Sequence, residues 1–142
     1  MSTKEFDFSE MVCFSLYSAS NAMIRDYSPK LREYDLTYPQ FLVMMSLWNN
    51  DSVYIKALTE QTYLDAGTLT QVLKRLEGKG LIKRNKSLVD ERAKTIVLTK
   101  TGLSLKDKTS HIFDKMECKI KLSADEQKAI TSICSKILLQ LR

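Results

Sequence analysis

Long apolar runs are missing from this 142-residue chain, and it holds only two prolines, four glycines and one histidine. No stretch approaches the ~20 apolar residues that cross a bilayer, which argues against a membrane protein. The polar, acidic segment Ser2–Glu10 is unlike a signal peptide, so the protein is expected in the cytoplasm, with no membrane partner. The scarcity of histidine, together with the lack of a glycine-rich phosphate loop or a motif-placed carboxylate pair, leaves little for an enzyme to work with. Three cysteines, an odd number spread widely, do not form a disulfide framework, and free thiols are expected. His111 and Cys118, seven residues apart, could share a helical face, but a zinc site needs more ligands than the chain readily assembles. No metal or other cofactor is expected.

What the chain does have is positive charge and helical period. Lys and Arg number 22 against 17 Asp and Glu, a formal +5 that favours a polyanionic partner. A hydrophobic fraction of 44% suffices for one globular domain, residues 1–142. Val12, Leu16, Ala19, Met23 and Tyr27 form a helical stripe with Ser9 as its N-cap, and Pro29 is expected to end that helix. Thr37-Tyr38-Pro39-Gln40 has the form of a capping box with an early proline, opening a second helix through Trp48. After the turn formers Asn49–Ser52, short helices are expected over Ile55–Tyr63 and Asp65–Lys79, a pair that invites comparison with a helix-turn-helix. Gly78 and Gly80 stop the second of these. The period then changes, and Leu81–Arg84 with Thr95–Leu98 reads as a two-stranded hairpin. A helix follows with Leu105, Ile112, Met116 and Ile120 in phase. Ser123 and Glu126 then cap a last helix whose stripe (Ile130, Ile133, Ile137, Leu138, Leu141) should pack on something, a partner subunit being the natural candidate.

In the segment Ala66–Lys79, Leu69, Val72, Leu73 and Leu76 mark a buried face and leave Thr68, Thr70, Gln71, Lys74 and Arg75 outside it. Short hydrogen-bonding groups toward the N-terminal end and cations behind them suit a helix that reads base edges in a major groove. Spacing alone favours an ordinary amphipathic helix with a solvated polar face. The adjoining hairpin shifts that balance, because Lys83–Lys94 is too long for a minimal turn and five of its residues, Lys83, Arg84, Lys86, Arg92 and Lys94, are cationic. A cationic wing beside a reading helix can place Arg92 in a narrow minor groove, with Asp90 orienting it. Leu88 and Val89 near the tip find no explanation in DNA contact.

Three segments, CFSLYSAS from Cys13, LTYPQFLVMMSLW from Leu36, and LDAGTLTQVLKRLEGKGLIKR from Leu64 followed by VDERAKTIVLT from Val89, resemble the MarR family of winged-helix repressors, within it the organic-hydroperoxide regulators of the OhrR type. The resemblance runs nearly end to end and extends to regulators of virulence or biofilm formation in Gram-positive cocci. It implies a mainly α fold with a small β-hairpin wing, a winged helix-turn-helix lobe over residues 37–100, and a homodimer built from residues 9–36 and 101–142 that binds a palindromic double-stranded DNA operator. Family members commonly carry Ser where this chain has Ala66 and Pro where it has Gln71, so operator preference is expected to differ.

On spacing alone Cys13 reads as a buried apolar thiol. The resemblance reverses that reading. It makes Cys13 a redox sensor, with Tyr17 one turn later and Tyr27 and Tyr38 matching tyrosines that reach the sulfur of the other subunit, and an organic hydroperoxide or other oxidant as inducer. Phenol hydroxyls donating to sulfur stabilise a thiolate. Cys118 falls off the apolar stripe among Lys115, Lys119 and Lys121; it is expected to be exposed and, as in some family members, to pair with the sensor across subunits. Cys134 lies within the stripe and is expected in the core. The alternatives are a repressor induced by a small aromatic ligand and, with less support, a thiol peroxidase.

Overall fold

The structure, a computed structural model, describes residues 5–87, 89, 90 and 93–141. A single 3-10 turn, Phe8–Glu10, precedes helices α1 (Val12–Arg32) and α2 (Tyr38–Asn49), strand β1 (Val53–Tyr54), helices α3 (Ile55–Thr62) and α4 (Ala66–Gly78), strands β2 (Ile82–Lys86) and β3 (Lys94–Leu98), and helices α5 (Lys100–Ile120) and α6 (Ala124–Gln140). Residues 1–112 and 113–142 form two compact units, the division falling inside α5.

The first unit holds the winged helix-turn-helix. Its core is Leu31 of α1, Phe41, Met44 and Leu47 of α2, Leu58 of α3, Leu69, Leu73 and Leu76 of α4, Ile82 and Ile96 of the sheet, and Ile112 of α5, all essentially buried. α1 does not stop at Pro29, which sits inside it. A proline in the last turn removes one amide donor without undoing the bonds after it, and Tyr27 and Leu31 on either side are buried and hold that turn in place. The helix runs on to Arg32, and the turn after it closes at Asp35, in the left-handed region (φ 56°), with Leu36 N bonded to Leu31 O and Asp35 N to Arg32 O. Ser9 is not its cap: Asp7 caps the 3-10 turn and Met11 leads into the helix. The Thr37–Gln40 box forms as expected, each side chain bonded to the other's backbone N–H.

The sheet has three strands where the sequence suggested two. β1 pairs antiparallel with the far side of β3, Val53 opposite Ile96, giving the order β1-β3-β2. A two-residue strand is too short to show alternation, which is why it was invisible. α4 closes on Gly80 (φ 72°) with Leu81 N bonded to Leu76 O and Gly80 N to Glu77 O, the left-handed glycine cap the sequence promised.

In the second unit, Ser123 and Glu126 form the expected capping box of α6. None of the residues of α6 is buried: Ile130, Ile133, Leu138 and Leu139 are exposed and Ile137 is half-buried. Val12, Phe14 and Tyr17 of α1 are exposed as well.

Within the first unit, the start of α5 is held by a tight contact. Trp48 Nε1 donates to Gly102 O at 2.9 Å, and a Cβ on Gly102 would stand 2.0 Å from the carbonyl oxygen of Leu81. Since backbone cannot yield as a flexible side chain can, Gly102→Ala is expected to cost about 1–3 kcal/mol, read as a lower urea midpoint at unchanged m-value; an unaltered midpoint would contradict the close approach.

Candidate nucleic-acid interface

α4 is positioned by both of its ends. At its start Asp65 accepts the Thr68 amide at 2.8 Å and the Thr68 hydroxyl at 2.7 Å. At its end Lys79 donates to Gln40 Oε1 at 2.9 Å and to the Asp35 carbonyl, with the Asp35 carboxylate 3.5 Å away. Its apolar side is fully buried, as the spacing of Leu69, Val72, Leu73 and Leu76 predicts. Thr70, Gln71, Lys74 and Arg75 are exposed and Thr68 half-buried. Thr70 Oγ1 donates to Ala66 O at 2.8 Å. Both threonine hydroxyl hydrogens are therefore engaged within the helix, and the oxygens offer lone pairs outward. Beside this face a cavity of about 460 Å³ is lined by Pro39, Gln40, Thr68, Gln71 and Arg75 among others.

The wing carries exposed Lys83, Lys86 and Lys94, the last two opposite each other in register. Lys94 also borders a cleft of about 680 Å³ with Lys56, Glu60 and Asp90. Asp90 is exposed, and its carbonyl accepts from Ala93 N at 3.1 Å. Arg92 lies outside the described residues, as does Leu88. Arg84, expected to reach out to DNA, turns inward: its side chain is 22% exposed, and its Nε lies 3.8 Å from the Glu77 carboxylate with no hydrogen-bond partner among the described residues. Alternation along β2 explains the reversal, since Ile82 and Arg84 share one face of the strand and Ile82 is buried.

The thiols and phenols fall into separate places. Cys13 and Cys118 are exposed, and Tyr17 is exposed one turn from Cys13. Cys134, expected in the core, is only half-buried in the single chain. Tyr27 is buried and its ring lies 5.3 Å from that of Tyr38. Burial pushes the Tyr38 phenol above its ordinary value, which keeps it protonated and able to donate. Cys13 and Tyr27 are both in α1, 14 residues apart, which at 1.5 Å per residue separates them by about 21 Å along the helix.

Residues 25–109 match the family of SarA/Rot transcriptional regulators. The organic hydroperoxide resistance transcriptional regulator of Bacillus subtilis is 40% identical over 89% of this chain and 86% of its own, and the HTH-type transcriptional regulator MgrA of Staphylococcus aureus 38% identical over 94% and 92%. The chain belongs to the SarA/Rot family. Among solved structures, reduced AbfR bound to DNA is 30% identical, covers 94% of this chain and 93% of that one, and superposes with a TM-score of 0.76; AbfR has also been solved overoxidized on DNA. As a SarA/Rot member with MarR-like winged-helix neighbours, the protein is a DNA-binding transcriptional regulator, and its fold is the mainly α, winged form that the sequence resemblance implied. The matched span takes in α4, the wing, Tyr27 and Tyr38, and leaves Cys13 and Cys118 outside it.

Sequence reasoning passed over Asp65 and Lys79, which position α4 without belonging to its outer face. Asp65 was legible, as an N-cap type three residues before Thr68 at the start of an apolar run; Lys79 was not, because its partners are distant in sequence. The two hydrogen bonds from Thr68 hold the Asp65 carboxyl below its ordinary 3.8. A carboxyl with a depressed value contributes stability that is complete above the unfolded value and is lost as pH falls through the folded one. Asp65→Ala is therefore expected to lower the melting temperature at neutral pH and to converge on the parent below the folded value. Equal melting temperatures at neutral pH would remove Asp65 from the account of how α4 is set.

Proposed function

We propose that the protein is a homodimeric winged-helix repressor that binds a palindromic operator and is released when an organic hydroperoxide oxidises Cys13. The separation along α1 is the observation that carries this reading. An exposed thiol on a helix end that also exposes Val12, Phe14 and Tyr17 cannot reach phenols about 21 Å along the same rigid rod. A second copy laid against that apolar end brings the partner's Tyr27 and Tyr38 to the sulfur. The resemblance of the chain to a hydroperoxide-resistance regulator, and to AbfR in reduced and overoxidized forms, supports the same chemistry.

In the proposed step the Cys13 thiolate attacks the outer oxygen of the hydroperoxide, breaking the O–O bond to form sulfenic acid, while the alkoxide released takes a proton from water and leaves as the alcohol. The thiol of the partner subunit's Cys118 then attacks the sulfenic sulfur, expelling water and leaving a disulfide. Phenol bonds that steadied the thiolate are lost. The first helix moves against its partner, and the spacing of two α4 helices on their half-sites changes. On DNA, Thr68, Thr70, Gln71, Lys74 and Arg75 face the major groove, and Arg92 with Lys86 and Lys94 follows the wing to the minor groove and phosphates. The cavity beside Arg75 favours a second reading, induction by a small aromatic acid. Titration of salicylate against DNA binding by Cys13→Ser tests it separately.

On a duplex spanning the protein's own promoter, Cys13→Ser is expected to remain bound at hydroperoxide concentrations that release the parent. Release of Cys13→Ser by the oxidant would refute the assigned switch. If the parent lets go without a reductant-reversible covalent dimer on gels, Cys118 drops out and a one-cysteine mechanism stands.

Dimerisation is expected to be inseparable from DNA binding. Ile133→Asp places a carboxylate in the proposed interface, at a cost of about 3–5 kcal/mol, and is expected to abolish specific binding and yield monomer in sedimentation. A folded, operator-binding monomer of the parent chain would contradict the dimer directly.

A further inference from the structure

Ser87, immediately after β2, is one of the few buried polar side chains, at 8% exposure. Its hydroxyl oxygen accepts from Val89 N at 3.2 Å and from Asp90 N at 3.4 Å, and lies 2.9 Å from the Tyr54 phenol oxygen. A serine hydroxyl has two lone pairs and one hydrogen. With both lone pairs met by backbone N–H groups, its hydrogen goes to Tyr54. Tyr54 belongs to the two-residue strand β1 and is followed directly by α3, so its side chain stands at the joint between the sheet and the helix-turn-helix. From here one hydroxyl pair ties the start of the wing tip to that joint.

We propose that Tyr54 and Ser87 form a latch that fixes the angle of the wing tip relative to the reading helix, which makes both of them positioning residues for minor-groove contact. The proposal rests on the reading of the wing as a DNA-contacting element. The backbone ladder between β2 and β3 runs as far as Lys86 opposite Lys94, with one further bond from Ser87 N to Ala93 O at 2.9 Å. Past that point Val89 is 91% exposed, with its N–H turned back onto Ser87. An apolar side chain thrown into water by an inward-facing amide is the form a tip takes when its backbone, rather than its side chains, is what the fold holds. The latch converts that local turn into a fixed direction by linking it to a strand on the other edge of the sheet. The sheet interior would keep the strands together without it; the tip direction would not be kept.

The test is Tyr54→Phe, which removes a single oxygen and keeps the ring, with the protein's own promoter duplex as probe. Expected is a three- to tenfold loss of affinity, of the order of one net hydrogen bond, confined to the wing. Hydroxyl-radical protection of the minor groove fades, while protection of major-groove guanines under α4 from dimethyl sulfate persists and the melting temperature holds. Ser87→Ala should reproduce the footprint, and the double variant should be no worse than Ser87→Ala alone, because both remove the same bond. Wild-type affinity and both footprints intact in Tyr54→Phe would overturn the latch. So would a parallel fading of the two footprints with a fallen melting temperature, which would make the pair merely structural. An absence of minor-groove protection in the parent protein would instead bring down the wing reading on which the latch rests, and is recognisable before any variant is made.

Discussion

Three segments that meet at the buried carboxamide of Gln40 cannot move independently, and the working parts of the protein hang from them. Its oxygen accepts the Thr37 amide at 3.2 Å, starting α2, and the Lys79 ammonium at 2.9 Å, ending α4, while Lys79 also binds the turn at Asp35 that ends α1. Gln40 is 2% exposed, so an oxygen stripped of these donors would carry the desolvation cost of an unsatisfied buried acceptor, about 1–3 kcal/mol. That cost disfavours any state in which α4 shifts while α2 stays. Tyr38 is the first residue of α2 and lies against Tyr27 near the end of α1. Under the proposed switch, a displacement that begins at these phenols arrives at the reading helix through a satisfied polar cluster rather than through a compliant loop.

The limits of sequence legibility follow from the range of the forces involved. Local, self-contained signals were readable: the Thr37–Gln40 and Ser123–Glu126 boxes, Gly80 as a helix stop, and the face of α4 all depend on residues within a few positions of one another. Pro29 was misread because a local breaker was outweighed by burial of Tyr27 and Leu31 around it. Arg84 was misread because charge suggested the outside of the wing, whereas strand alternation with Ile82 decided its direction. β1, the Lys79 tie and the Tyr54–Ser87 pair join residues distant in sequence, and no periodicity announces them.

The same distinction governs the apolar surface. The core of the first unit is closed by its own helices, but the exposed faces of α1 and α6 hold Val12, Phe14, Ile130, Ile133 and Leu139 in water in the single chain. Isolated apolar residues on a surface are ordinary; a run with helical period such as Ile130, Ile133, Ile137 and Leu141, none of them buried, is not. The proposed dimer would account for them, and it would also remove the difficulty that Cys13 and Tyr27 lie 14 residues apart on one helix. One assumption thus accounts for two observations that arise from different chemistry, burial of apolar area and delivery of a hydrogen-bond donor to sulfur.

If α4 reads the major groove as proposed, the polarity of its outer face narrows what it can recognise. Thr68 donates its hydroxyl hydrogen to Asp65 and Thr70 to Ala66, so at the start of α4 the outward-facing groups are acceptors, suited to adenine N6 and cytosine N4 rather than to guanine. Gln71, exposed and able both to donate and to accept, sits next, where a proline would offer nothing. Lys74 and Arg75 follow as donors only, matching guanine edges or phosphates. Acceptors first and donors after give the helix a direction along the groove. Because Asp65 orients the Thr68 hydroxyl and the Ala66 carbonyl that of Thr70, groups that touch no base would, under this reading, help decide which bases are tolerated.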